Sequence, residues 1–584
     1  MKKIILYICA VLICFSASAK PVSSSDAHRV AVNFWSQNVK GDCPELIDMT
    51  AFFGLSEMYL FCTVDNNGFI IVAADDIATP ILGYSTSNGI LRDDMPENLT
   101  GWLSHYSNEI SSARANGYNG DQKTDELWHK LLYSTSSQKT KSTKSVEPLI
   151  ATQWDQTAPY NNKCPYDKNG NGQSIRSVTG CVATAMAQVL KFWNWPIKGY
   201  GSKTYTCTTL SPNATTNSIS ANFDTIYQWN MMPAGGTITP TSGWNSQQKS
   251  AVALLIFHCG VSVSMGYRYT SSSASSSDIP NALRQYFGYT YNISFKKKSA
   301  YTESNWKDMI VAEIDARRPV LYRGEGSDGT GGHSFVCDGY DAEGVFHFNW
   351  GWSGSGDGYY PLSSLTPTST GTGAGLGDFT YDQGAVFGIM PGIQTNNSFS
   401  VNNTVVQGGT LTGTCGLRNS GMKVFSGYFG VAAYNDMGEL VAMLAQTEQT
   451  SVNGNSNKTI SINYPIDEYW ELGTYTVKAV CSLDGIDWRP IETGYNGCAT
   501  ESSFTVIEPL SINTTSETKP FTFAGKKAIV ISNAEGCNVS ITDIMGRIVY
   551  RASCNASTTT IPVAKSGVYL VKIDGKPATK VYVK

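Results

Sequence analysis

The chemistry in this sequence gathers on a cysteine and a histidine far apart in the chain. Cys181 opens the run Cys181-Val182-Ala183-Thr184-Ala185-Met186-Ala187-Gln188, directly after Ser177-Val178-Thr179-Gly180. The unpaired N–H groups and dipole of a first helical turn favour negative charge, and the thiolate is the nucleophilic form of cysteine. The same stretch also suits a buried structural cysteine, since free cysteine is among the most buried residue types. A nucleophilic thiol needs a base and a group to orient that base. Between the linker described below and residue 395 the sequence holds only His258, His333 and His347. His258 closes the apolar stretch 251–260 and reads as a packed side chain. His333 follows Gly324, Gly326, Gly329, Gly331 and Gly332, a run that permits close backbone approach, and it opens an apolar strand. An amide oxygen on Asn349 would hold the imidazole in its useful tautomer, and Trp350 would cover that bond from water. His347 competes with His333 for the base, because it shares a strand face with Asn349. The chemistry such a set could perform is nucleophilic catalysis by a thiolate.

These side chains need a helix and a hairpin to carry them. Apolar residues at 182, 185, 186, 189, 190 and 193 predict a helix with one buried face, N-capped by Thr179 and ended before Pro196. Residues 334–338 and 345–350 read as strands joined across Gly339–Gly344, a hairpin that brings Asn349 toward His333.

The chain has 584 residues, too many for one core, with a net charge of -4 that gives no reason to expect nucleic acid. Its 14 cysteines include no C-x-x-C pair, which argues against a zinc ribbon or thioredoxin-type site. Lys2 and Lys3, the apolar run Ile4–Phe15 and Ala17-Ser18-Ala19 have the form of a signal peptide over 1–19, predicting export. No later segment is long enough to span a membrane as a helix. Residues 20–132 mix helix (Ala27–Trp35) with strands at 59–64 and 68–73 turning at Asp65-Asn66-Asn67. Tyr133–Val146 is polar and aperiodic, an exposed linker of the kind that proteases cut. A severable leading domain ahead of a candidate nucleophile suggests a zymogen.

Three ordered segments, Thr179–Gln188, Gly331–Gly339 and Phe348–Gly354, resemble the signature of the streptopain family of papain-like cysteine peptidases, which includes interpain-type enzymes. The resemblance covers roughly 20–393, because Gly68–Asp76 and Ile81–Ser85 are similar to that family's inhibitory propeptide. It implies Cys181 as nucleophile, His333 as base, and Asn349 and Trp350 as orienting and shielding groups. It implies substrate contacts at Ser273 and Gly332, with the serine loop departing from the family's glycine-containing version. The oxyanion side chain stays open: Gln173 is badly spaced and Gln156 distant, which leaves the Cys181 backbone N–H as the donor. No cofactor or metal is implied. The implied partners are protein and peptide substrates and the chain's own propeptide as inhibitor.

The expected fold is multidomain: signal peptide 1–19, α+β propeptide 20–145, α+β papain-like peptidase 146–393, Ig-like β-sandwich 394–508 and a small β domain 509–584. The sandwich reading rests on short alternating stretches such as Tyr428–Tyr434 and Thr474–Val480. Residues 539–547 and 566–573 resemble the sorting domain of the type IX secretion pathway of Bacteroidota, which implies that machinery as a partner and a secreted or outer-membrane-surface location. Cys537 and Cys554 are a candidate disulfide there. Asp167–Gly172 matches half of a calcium loop, but Val178 stands where the closing acid belongs, so a polar turn is expected. Lys296–Lys298 is expected as a solvated edge. A silent adhesin or inhibitor-like protein on a peptidase scaffold is the competing function; a G-x-S-x-G elbow and H-E-x-x-H are both absent from the sequence.

Overall fold

The computed structural model describes residues 20–39, 43–90, 95–133, 144–214, 216–324, 332–364, 382–397, 399–509 and 519–584. The expected signal peptide, 1–19, and residues 134–143 of the expected linker lie outside the described residues. The chain divides after Ile507 into two compact units, one residue before the expected boundary at 508.

The leading region contains helix α1 (Ser24–Asn38), strands β1 (Leu46–Asp48), β2 (Met58–Thr63), β3 (Phe69–Ala73) and β4 (Ile81–Ser85), then helices α2 (Glu97–Ala115) and α3 (Gln122–Tyr133). β3 is buried at every position, which is why it reads as a continuous apolar run and not as an alternation. The β2–β3 turn uses Asn66 at φ 54°, as its turn sequence predicts.

The next region runs β5 (Tyr166–Lys168), β6 (Ser174–Arg176), α4 (Cys181–Trp193), β7 (Ser202–Thr206), β8 (Ser218–Asn222), α5 (Ser246–Ser262), α6 (Ile279–Tyr286), β9 (Ser294–Lys297), α7 (Glu303–Asp315), β10 (Val320–Gly324), β11 (His333–Tyr340), β12 (Phe346–Asn349), β13 (Gly358–Tyr360) and β14 (Gly384–Phe387). Ten strands make one sheet in the order β1-β2-β3-β4-β13-β12-β11-β10-β14-β9. The division expected at 145/146 is therefore no break in the packing. Leading and catalytic regions share this sheet, joined where Tyr84 of β4 pairs with Tyr359 of β13. They also share a core in which α1 and α2 pack with sheet residues such as Phe335, Phe348 and Trp350. β9 is an edge strand, and Lys297 and Lys298 make surface ion pairs with Asp382 and Glu303, as expected of a solvated edge.

A second core is built around α4 and α5 and continues into the β-rich residues 393–507. That region has two sheets, one built on Thr410–Asn419 paired with Ser456–Pro465, the other on Phe425–Tyr434 paired with Gly473–Ser482. Trp195 stacks on Phe425 at 5.9 Å, and the Tyr291 N–H donates to the Ser420 carbonyl, so this sandwich is fastened to the helical lobe.

Residues 508–584 form a three-stranded and a four-stranded sheet around Ile529, Ile531, Val539, Ile541, Val571 and Val583. The Cys554 N–H donates to the Cys537 carbonyl at 2.9 Å, yet both thiols are free. The expected disulfide is not formed; the Cys537 thiol bonds to Asp574 instead. Among the described residues no helix is long and apolar enough to cross a membrane.

Candidate active site

Cys181 is the first residue of α4, where the helical lobe meets the sheet. The N-cap is Gly180, at φ 87° and ψ 139°, with no side-chain cap. Thr179 does not cap the helix as expected; its hydroxyl is turned inward, 2.8 Å from that of Thr184. Glycine is required at 180 on two counts: the left-handed φ, and Met265 and the Ser272 carbonyl, which lie 2.8 and 2.9 Å from where a Cβ would stand. That close approach presses the loop between α5 and α6 against the thiol's turn. The buried Ser272 hydroxyl donates to the Val178 carbonyl at 2.7 Å and ties the same loop down.

From the sheet side, β11 begins at His333. The N–H of Ser334 donates to Cys181 Sγ at 3.3 Å, which brings the start of β11 to the thiol. Ser334 in turn shares a 2.8 Å hydroxyl bond with Ser276. Sequence reasoning passed over Ser334, because a backbone donor leaves no mark on residue type.

Both groups are held neutral. Burial pushes the Cys181 thiol up, against the lowering effect of N–H donors from Ser334, Val182 and its own residue; the Glu97 carboxylate of α2 adds to the rise. Burial pushes His333 down to about 4. The helix-start setting was expected to ease ionisation of Cys181. Desolvation outweighs it here.

Asn349 is buried on β12 opposite Val336. Its Oδ1 accepts from Gln188 Nε2 (2.8 Å) and the Gly351 N–H (3.1 Å), and its Nδ2 donates to the Thr152 carbonyl (2.7 Å). With both lone pairs taken, one donor must give way before Asn349 can receive an imidazole. Gln188 is the residue that the sequence reading missed. It lies on α4, with its Oε1 accepting from the Thr152 hydroxyl and the Trp154 N–H. A lone amide in an otherwise apolar helical run was the available signal. Trp350 is buried, its indole N–H donating to the Gly356 carbonyl. Asn98 of α2 donates to the Trp350 carbonyl at 2.5 Å, so the leading domain's helix lies on the candidate site.

The other expected residues fall as follows. Ser273 is exposed, and its backbone pairs both ways with Gly266. Gly332 is exposed just ahead of β11. Gln156 is brought in by its backbone, whose carbonyl accepts from the Thr179 N–H at 3.1 Å. His347 bonds Asp338 at 2.6 Å in a buried pair, and His258 bonds the Tyr227 hydroxyl at 2.9 Å. Asp167 faces inward, accepting from the backbone of Lys168, Ser211 and Tyr269, and residues 169–173 are the β5–β6 turn. Among the described residues no cluster of ligands could hold a metal.

The profile described as the Peptidase C10 family matches residues 154–360, that of the Spi protease inhibitor 19–110, and a domain of unknown function (DUF6383) 509–583. The thiol protease/hemagglutinin PrtT of Porphyromonas gingivalis is 32% identical over 415 residues, 67% of this chain and 44% of that protein, so the chain spans less than half of that relative's length. Streptopain of Streptococcus pyogenes is 35% identical over 345 residues, 58% of this chain and 81% of that protein. Among solved structures, a fragment of Prevotella intermedia prointerpain A shares 30% identity over 59% of this chain and 98% of its own, with a TM-score of 0.46.

Proposed function

Since this chain belongs to the peptidase C10 family, we propose that it is a secreted zymogen cysteine endopeptidase whose nucleophile is Cys181 and whose base is His333. The observation that carries the reading is the Ser334 N–H on Cys181 Sγ, which joins the start of α4 to the start of the histidine's strand. In the reaction, His333 takes the thiol proton and Cys181 attacks a peptide carbonyl. The Cys181 N–H holds the oxyanion, His333 protonates the leaving amine, and water hydrolyses the thioester. Asn349 orients the imidazole, Trp350 covers it, and Ser273 and Gly332 contact substrate. The precursor is latent because α2 sets Asn98 on the Trp350 carbonyl and Glu97 near the thiol while β1–β4 extend the sheet; cleavage within roughly 133–150 releases them.

Replacing Cys181 with alanine in the full-length precursor tests this reading. Self-maturation and casein hydrolysis should both stop, and an irreversible thiol-peptidase inhibitor should no longer label the protein. Persistence of either activity removes Cys181 from the mechanism. We also propose that residues 509–584 direct type IX secretion. Their deletion should leave the protein in the periplasm, and unaltered export would reject that role.

A further inference from the structure

With Cys181 as nucleophile, as proposed above, one side of the cleft must receive the acyl half of the substrate and the other the amine half. The loop of Met265 and Ser272 walls one side, against Gly180. A second wall is made by Gln153 and residues 351–356, reached from α4 through Gly351, where an added Cβ would stand 3.3 Å from Thr184, and there the leading domain contributes Asn88 and Gly89. The Gln153 Nε2 donates to Asn88 Oδ1 at 2.7 Å, and the Gly356 N–H donates to the Gly89 carbonyl at 2.8 Å.

Both donors are aimed by the peptidase region itself. Gln153 Oε1 accepts from the Thr237 N–H and hydroxyl, each at 3.1 Å, which fixes the amide so that its NH2 faces outward. The side chain lies in a slot between Gly236 and Gly354, where added Cβ atoms would stand 2.5 and 2.6 Å from it. The Gly356 carbonyl is held by the Trp350 indole and, at 2.6 Å, by the Tyr360 hydroxyl, which anchors the turn that carries its N–H. When the leading domain departs, two oriented donors lose their acceptors together.

We infer that Gln153 and the Gly356 N–H form a subsite for the leaving-group half of the substrate, selecting a neutral carboxamide side chain beside a backbone carbonyl. Asn88 and Gly89 occupy it in the precursor as a stand-in for substrate. A carboxylate is disfavoured there, because the Asp155 side chain, bonded to the Ser353 hydroxyl at 2.8 Å, puts a like charge on the same wall.

The test uses matured full-length protein and internally quenched peptides that differ only at the three positions after the scissile bond, carrying Asn, Gln, Asp, Leu or Lys. Rates are normalised, enzyme by enzyme, to a coumarin amide that has no residue beyond that bond. Asn and Gln should be favoured over Leu and Asp by about three- to tenfold in kcat/KM at one position, the range of one hydrogen bond between neutral groups. That ratio should fall to about one in Gln153→Ala and Gln153→Met. In the precursor, Asn88→Leu, which leaves the matured enzyme untouched, should speed thiol labelling of Cys181 by a similar factor. A wild-type enzyme indifferent to these residues, or a preference that survives both Gln153 variants, overturns the subsite. Failure of the wild-type to hydrolyse the coumarin amide would instead overturn the peptidase reading beneath it.

Discussion

Trp102→Ala in the precursor should open the latch that α2 makes over the candidate site. Trp102 is fully buried, and its ring lies 5.1–6.2 Å from those of Tyr322, Phe335, Phe348 and Trp350 on the sheet and of His105 and Tyr106 on its own helix. Truncating a buried tryptophan costs about 3–5 kcal/mol. Four of its six aromatic neighbours lie across the interface, so roughly two thirds of that loss, about 2–3 kcal/mol, falls on the docked state. The open fraction should then rise on the order of a hundredfold, since each 1.4 kcal/mol is about a factor of ten. Pulse labelling of Cys181 by a small thiol reagent reads this, because the partly buried sulfur should react faster once the leading domain, with Glu97, lifts away. Trp128→Ala is the control. Its indole donates to the Ala78 carbonyl within the leading domain, so it tests whether loosening that domain alone suffices. Labelling unchanged in Trp102→Ala, or raised equally in both variants, would refute α2 as the latch.

Gln188→Leu should lower kcat of the matured enzyme at least tenfold and shift the basic limb of its pH profile, because it leaves the Thr152 hydroxyl and Trp154 N–H without their acceptor, at about 1–3 kcal/mol for each buried group, and so disturbs the Thr152 carbonyl that positions Asn349. An unchanged pH profile would mean that the amide only supports the fold. His258 is buried with its pKa pushed down to about 4, while the unfolded chain takes up that proton near the usual imidazole value. The unfolded state therefore binds more protons between about pH 6.5 and 4, and stability falls as pH drops through that window. His258→Gln should reduce the loss between pH 7 and 4.5 by about 2–3 kcal/mol in urea unfolding, and identical losses in both proteins would contradict the assignment. Asp167→Ala should lower the thermal midpoint, since three backbone N–H groups lose their acceptor, and added calcium should change neither protein's midpoint. Stabilisation of the wild-type alone by calcium would return the 167–172 turn to a cation site.

Local pattern determined much of this protein. Helical spacing after Cys181 is written in a period of 3.6, and β2, β3, β11 and the hairpin carrying Asn349 are written as short apolar runs bounded by turn residues; all appear close to where those patterns place them. The short list of histidines narrowed the candidate base to His333 or His347, and the buried bond between His347 and Asp338 is a matter of strand register across a bulge that no spacing shows. Only the tertiary structure decided the state of the thiol. A helix start favours the thiolate over one turn, but the folded chain desolvates the sulfur and brings Glu97, more than eighty positions away in sequence, near it, and desolvation prevails. The same holds for Gln188, Ser334 and Gln153. Their roles arise from which groups the fold sets opposite them from distant parts of the chain, and where that group is a backbone amide, as with the Trp154 N–H on Gln188, the partner's residue type is unconstrained.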